Sequence, residues 1–135
     1  MASSLEDQFG KLVDNFNKLR DPETTQEGVR NLYEVLDENV IIHGIHHQHT
    51  ISGISRVIRF MKNSNGMFKP DAGAINCSQH PNGKYGYVTG TGIWNDDDDK
   101  DALIHIAFVF IKPGTDKRRV WQAIRLWGSN ADGRQ

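Results

Sequence analysis

The spacing of apolar residues changes period near Pro70, and this change limits the folds that the chain can adopt. Before Pro70, apolar residues recur at steps of three and four, which is the spacing of one buried face of an α-helix. After Pro70, the period is two, as in a β-strand. Helices that come first and strands that follow predict an α+β domain rather than a fold in which the two alternate.

Three helices are predicted in the first half of the chain. Capping residues predict their starts at Ser3 with Glu6, at Thr24 with Glu27, and at Ser52. Their apolar stripes are Leu5, Phe9, Leu12, Phe16 and Leu19 in the first helix, Val29, Leu32, Tyr33 and Leu36 in the second, and Ile54, Val57, Ile58 and Met61 in the third. The first helix is expected to end at Asp21-Pro22 and the third near Asn63.

The strands are predicted from β-branched residues and from alternation. A short strand, Val40 to His43, lies between the second and third helices. Four longer strands are predicted at 73–78, 85–94, 103–112 and 120–129. Because the connections between them are short, they are expected to form an antiparallel meander within a single domain that spans residues 1–135.

Composition and charge limit the kinds of partner that the chain can bind and the compartments in which it is expected. The formal net charge is −1, with Lys and Arg spread along the chain, which predicts neither a nucleic-acid partner nor an anionic membrane surface. The longest apolar run, ALIHIAFVFI, has ten residues and is too short to cross a bilayer. The N-terminus lacks the apolar core of a secretory signal. The lone cysteine, Cys77, excludes an internal disulfide and is expected to be a small buried residue, so a cytoplasmic location is predicted.

Four segments carry a resemblance to a known family: LYEVLDENVIIHG, SGISRVIRFM, YVTGTGIW and VWQAIRLWGS. Together they resemble the nuclear transport factor 2-like superfamily, and within it the SnoaL-like group, over nearly the whole chain. The resemblance implies a cone-shaped fold in which three N-terminal helices pack on a curved antiparallel sheet, with a pocket at the open end. Isomerases, dehydratases, cyclases, transport factors and dimerisation domains share this fold, so it does not by itself name an activity.

Histidines are concentrated in one segment. Four of the six, His43, His46, His47 and His49, fall within seven residues. Zinc requires three or four ligands held so that they converge, and no Cys or acidic residue accompanies this cluster at a zinc spacing. The sequence therefore predicts no metal, no cofactor, and an exposed or rim-lining loop for His46, His47 and His49.

Two histidines are candidate catalytic residues. The resemblance implies a general base near His43, where ketosteroid isomerase-like members have an aspartate. An imidazole can serve, because its unperturbed pKa lies near neutrality. His105 interrupts an apolar strand, and a polar ring there needs a hydrogen-bond partner or a wet cavity. We expect His43 and His105 to share one cavity and divide the acid and base roles, with Trp94 or Trp127 in its wall.

The last strand carries a second group of candidates. Simple alternation puts Trp121, Ala123, Arg125 and Trp127 on one face. Arg125 can offer its fork to a carboxylate or enolate there, or serve as an anchor in an outer-face interface, and the sequence leaves both open. The candidate ligand contacts are Tyr33, Trp94, Arg125 and Trp127.

Two other patterns have structural explanations. Gly86, Gly90 and Gly92 share one strand face, which favours sharp bending of the sheet over a ligand contact. The acidic run Asp96 to Asp99 lacks the alternating ligands and the glycine of a calcium loop, so it is expected to be a solvated hairpin turn.

The sequence thus predicts a domain that binds a small apolar organic molecule and uses acid–base chemistry as an isomerase, dehydratase or cyclase. The alternative is a non-catalytic dimerisation or cargo-binding module of the same fold. Either way a homodimer through the sheets is expected, because helices can cover only one of two apolar faces. Those faces carry Leu103, Val109 and Ile111 on one side and Ile106, Phe108 and Phe110 on the other.

Overall fold

A computed structural model describes residues 4–43, 50–112 and 120–131. The helices are α1 (Leu5–Lys18), α2 (Thr25–Val35) and α3 (Ile54–Ser64), with a short 3-10 turn at Ala72–Ala74. The strands are β1 (Leu36–His43), β2 (Thr50–Ser52), β3 (Met67–Pro70), β4 (Asn76–Gln79), β5 (Tyr85–Asn95), β6 (Ala102–Ile111) and β7 (Gln122–Asn130). Within the described ranges, no helix is long and apolar enough to cross a membrane.

The strands form one mixed sheet in the order β2-β1-β7-β6-β5-β3, and β4 also pairs with β5. The antiparallel meander predicted for β5, β6 and β7 is confirmed. The prediction of a wholly antiparallel sheet is wrong, because β1 runs parallel to β7. Strands β2 and β3 were not predicted, since three or four residues are too few to show a period.

The N-caps of α1 and α3 differ by one residue from the predicted ones, whereas α2 begins directly after Thr24, as predicted. The capping box of α1 is formed by Ser4 and Asp7, with the Asp7 amide donating to the Ser4 hydroxyl at 3.1 Å. Thr24 precedes α2, but its side chain makes no cap bond there. α3 begins after Gly53, whose φ of 95° favours glycine, whereas the predicted cap Ser52 is the last residue of β2.

The core lies between the helices and one face of the sheet, as expected for an α+β domain. On this inner face, Val88, Phe110 and Leu126 are among the buried residues. Gly90 and Gly92 lie on the same face of β5, where other parts of the chain approach closely. A Cβ atom added at Gly90 would lie 2.5 Å from the Ala74 carbonyl oxygen. The close approach of the chain's own segments therefore gives these glycines a packing role.

A bulge changes the alternation along β7. The register of β7 against β6 shifts by one residue at Ile124. As a result, Trp121 and Ala123 are buried while Arg125 is exposed. The prediction that Trp121, Ala123, Arg125 and Trp127 share a face is wrong, because the inserted residue reverses which side chains point inward.

Two helical glycines provide a matched test of how α1 and α2 pack. A Cβ atom at Gly28 would lie 2.7 Å from the Asn15 carbonyl oxygen, whereas nothing lies within 4 Å of one at Gly10. Gly28→Ala is expected to lower the free energy of unfolding by about 1–3 kcal/mol. Gly10→Ala is expected to raise it by about 0.5–1 kcal/mol. Denaturant titration of both variants measures this, and a change of the same sign in both would contradict the helix contact.

Candidate functional site

A cavity of about 610 Å³ lies between the inner face of the sheet and the helices α1 and α3. Its volume falls within the range of small-molecule binding sites. The wall is mostly apolar, with contributions from Leu12, Val13, Phe16, Phe60, Met61, Phe68, Ile104, Ile106, Phe108 and Leu126. A wall of this kind favours an apolar molecule, and a small number of polar groups can fix its orientation.

The polar groups of the wall stand at two ends of α3. Arg56 lies in the first turn of the helix and Ser64 is its last residue, eight residues further along, so they are about 12 Å apart along the axis. His43 and Thr50 pair across β1 and β2, and β2 leads directly into the Arg56 end. Asp96 stands at the Ser64 end. The cavity therefore has two polar ends and an apolar middle.

The position of Asp96 follows from contacts that join its turn to the end of α3. Asn65, which directly follows α3, donates its side-chain amide to the Asp97 carboxylate at 3.0 Å. The ring of Trp94, two residues before Asp96, packs against the backbone of Gly66. These contacts hold the end of β5 beside the end of α3.

His43 is held by ring stacking at the end of β1. Its imidazole lies parallel to the Trp127 indole, with the ring centroids 4.8 Å apart and 4° between the planes. Nδ1 is 3.5 Å from the Thr50 hydroxyl, a long and weak contact. Nε2 is buried, and none of the described residues gives it a hydrogen-bond partner. A buried nitrogen without a partner favours a ligand that supplies one.

The strand register shows where this stacked pair lies. Ile42 pairs with Leu126, and His43 pairs with Trp127 in the next position. Neighbouring residues of a strand point to opposite faces, and Leu126 is buried on the inner face. All four residues contribute to the cavity wall, so His43 and Trp127 form its rim at the end of β1.

His105 lies outside this site. It is exposed, and the residues on either side of it, Ile104 and Ile106, are buried on the inner face. Its ring therefore stands on the outer face of β6, where solvent can satisfy its nitrogens. The prediction that His43 and His105 share a cavity is wrong for this reason.

The four predicted ligand contacts divide into two pairs. Trp94 and Trp127 line the cavity. Arg125 is exposed on the outer face of β7, and Tyr33 is exposed on α2, where its hydroxyl lies 2.8 Å from the Ser55 hydroxyl. Neither Arg125 nor Tyr33 is part of the cavity wall.

The acidic turn after β5 is more than a solvated loop. Asp96 accepts a hydrogen bond from the Trp94 indole at 2.8 Å, and its second oxygen accepts from the backbone amides of Asp98 and Asp99 at 2.8 and 2.7 Å. The predicted solvated turn describes the exposed Asp97 and Asp98. It does not describe Asp96, which holds Trp94 in place and contributes to the cavity wall.

Sequence reasoning missed Arg56 and Ser64 because they are polar. Arg56, Phe60 and Ser64 recur at steps of four and form one row along α3. The predicted apolar stripe of α3 occupies the adjacent row. A helix row made of an arginine, a phenylalanine and a serine does not by itself indicate a cavity wall, and only the tertiary structure shows that it faces one.

The described residues do not favour a cysteine nucleophile or a metal site. Burial, and to a lesser extent the Glu6 carboxylate, raises the pKa of the Cys77 thiol, which disfavours the thiolate that a nucleophile needs. No three His, Cys, Asp or Glu side chains of residues 4–43, 50–112 and 120–131 are grouped so as to hold a metal. His46, His47 and His49 lie outside the described residues.

No protein-family model matches the sequence, and no curated protein matches it. Solved structures do match. A cystatin-like protein from Caulobacter vibrioides has a TM-score of 0.70 at 8% identity, over 96% of this chain and 88% of that one. A candidate dehydratase of the NTF2-like family from Streptomyces avermitilis has a TM-score of 0.64 at 14% identity, over 92% and 94%. A candidate ketosteroid isomerase from Parabacteroides distasonis has a TM-score of 0.64 at 12% identity, over 97% and 91%.

Identities this low establish the fold alone. The chain has the nuclear transport factor 2-like, or cystatin-like, fold, with helices on one face of a mixed sheet. The resemblance noted in the sequence is confirmed at this level.

Proposed function

We propose that this chain is a cofactor-free, SnoaL-like domain that binds a small apolar organic molecule in the cavity and exchanges a proton with it through His43. The observation that carries the proposal is His43, a residue of the wall of a 610 Å³ apolar cavity, whose buried Nε2 has no hydrogen-bond partner among the described residues. The reactions that fit are isomerisation, dehydration and cyclisation, each of which moves a proton.

The apolar wall supports binding. Each methylene group that a ligand buries contributes about 0.8 kcal/mol, so most of the affinity is expected to come from apolar contact. Trp94 and Trp127 supply large flat surfaces at two places in the wall. Their indoles also report on binding through fluorescence and NMR.

The setting of His43 supports proton transfer. Stacking on Trp127 fixes the plane of the ring, and a fixed plane favours a general base that must meet a proton in one direction. Of the structurally similar proteins, one is described as a candidate dehydratase and another as a candidate ketosteroid isomerase. The partner acid is not assigned to His105, because that side chain stands on the outer face.

The outer face of the sheet favours a second role, that of a dimerisation module, which is compatible with the first. Cross-strand pairs on this face join Tyr85 to Ile111, Tyr87 to Val109, Thr89 to Ala107, Thr91 to His105, and Ile93 to Leu103. Tyr85, Tyr87 and Leu103 are all exposed. We propose that a second copy of the chain covers this face, so that two chains form a homodimer while each keeps its own cavity.

Two tryptophan substitutions, one on each face of β6, test the proposal that the cavity binds the ligand. Ile106→Trp fills the cavity from its floor and is expected to weaken binding of 2-tetralone, a small apolar ketone, at least about tenfold. The matched control is Leu103→Trp, which places the same ring on the outer face of the same strand and is expected to leave affinity unchanged. Isothermal titration calorimetry measures both. Equal affinities in the two variants would remove the cavity as the binding site.

A further inference from the structure

Arg56 is the cationic side chain in the described part of the cavity wall. It is exposed, so it stands at the mouth rather than the floor. Among residues 4–43, 50–112 and 120–131, no carboxylate lies within ion-pair distance of it, and the ion pair found there joins Lys18 to Glu27. With no described carboxylate beside it, the guanidinium at the mouth of the cavity can pair with a ligand.

The far end of the cavity has a carboxylate in place of a guanidinium. The Asp96 carboxylate stands there, with its oxygens accepting bonds from Trp94 and from the turn amides. Between Arg56 and this end lie about 12 Å of α3, and the wall along that distance includes Phe60, Met61 and Phe108. The cavity therefore has a guanidinium at one end, an apolar middle and a hydrogen-bonded carboxylate at the other end.

We infer that the cavity selects an amphipathic carboxylate, bound lengthwise along α3 with its carboxylate at Arg56 and its apolar end against Trp94. This inference rests on the proposed function and names its ligand class. The planar fork of an arginine matches the two oxygens of a carboxylate, which a hydroxyl or a ketone cannot reproduce. The described part of the wall offers a guanidinium at the Arg56 end alone, so a single orientation is favoured.

The test compares two ligands that differ in one group, decanoate and decan-1-ol, on three proteins. The wild-type chain is expected to bind decanoate more tightly than the alcohol. Arg56→Gln is expected to weaken decanoate binding by about tenfold or more and to change binding of the alcohol by less than about twofold. Arg59→Gln, a matched change on the same helix outside the cavity wall, is expected to affect neither. Calorimetry at low and high salt measures the affinities.

The outcomes separate this inference from the proposed function. If Arg56→Gln and Arg59→Gln bind decanoate equally well, the inference is overturned, while decan-1-ol binding that Ile106→Trp abolishes still supports the cavity as a binding site. If neither ligand binds the wild-type chain, both are rejected. Decanoate binding that weakens with salt only when Arg56 is present supports the ion pair.

The orientation has its own readout. The bromine of 10-bromodecanoate marks the apolar end of the ligand and quenches a nearby indole. Quenching is expected to fall in Trp94→Phe and to persist in Trp127→Phe, because Trp127 lies with His43 at the Arg56 end. Trp121 is buried outside the cavity wall and gives a constant background. Quenching that falls in Trp127→Phe instead would overturn the orientation.

Discussion

Replacing His43 with phenylalanine is expected to slow the exchange of α-protons of bound 2-tetralone by about a hundredfold or more. Phenylalanine keeps a flat ring that can stack on Trp127 and removes both nitrogens, including the buried Nε2. The cavity and its affinity for the ketone are therefore expected to persist. Proton NMR in deuterated buffer follows the loss of the α-proton signals directly.

His105→Phe is the matched control for this experiment. The same substitution on the outer face of β6 is expected to leave the exchange rate unchanged, because His105 does not contribute to the cavity wall. If His43→Phe exchanges the protons as fast as His105→Phe does, proton transfer by His43 has to be abandoned. Binding of the ketone would then stand alone and favour a non-catalytic role.

Placing a carboxylate at the centre of the outer face is expected to dissociate the proposed homodimer. Ala107 pairs with Thr89 on one side and Trp127 on the other, so it lies in the middle of that face. An unpaired carboxylate buried in an interface costs about 3–5 kcal/mol, so Ala107→Asp is expected to weaken dimerisation by about a hundredfold or more. Sedimentation velocity across a concentration series measures this.

Ala72→Asp is the control, since it makes the same exchange at an exposed position outside the sheet. It is expected to dimerise as the wild-type chain does. A wild-type chain that sediments only as a monomer at micromolar concentration would contradict the proposed interface, as would an Ala107→Asp variant that dimerises as tightly as Ala72→Asp.

The long elements could be predicted from the sequence because each carries enough residues to show its period. The strand predicted at 85–94 is observed at Tyr85–Asn95, and the stripe from Leu5 to Phe16 lies in α1. The parallel contact between β1 and β7 could not be predicted, because it joins segments about 80 residues apart. Only tertiary packing brings those two strands together.

The site could be predicted only in part, because both faces of the strands carry apolar residues. In β6, Ile104 and Leu103 are equally apolar, so the pattern does not say which face looks inward and where His105 belongs. In β7, the bulge at Ile124 reverses the alternation that was used to place Arg125. His43 and Trp94 lie in the wall because each is close to a strand end that reaches the cavity, and Trp127 lies there because it pairs with His43.

Binding of a small organic molecule in the cavity is the central claim, and the three tryptophan indoles test it most directly. Trp94 and Trp127 line the cavity, whereas Trp121 is buried elsewhere and serves as an internal control. Titration of the ¹⁵N-labelled chain with 2-tetralone and with decanoate is expected to move the indole N–H signals of Trp94 and Trp127 saturably and to leave that of Trp121 in place. Signals that stay fixed with both ligands, or shifts confined to residues of the outer face, would contradict the account.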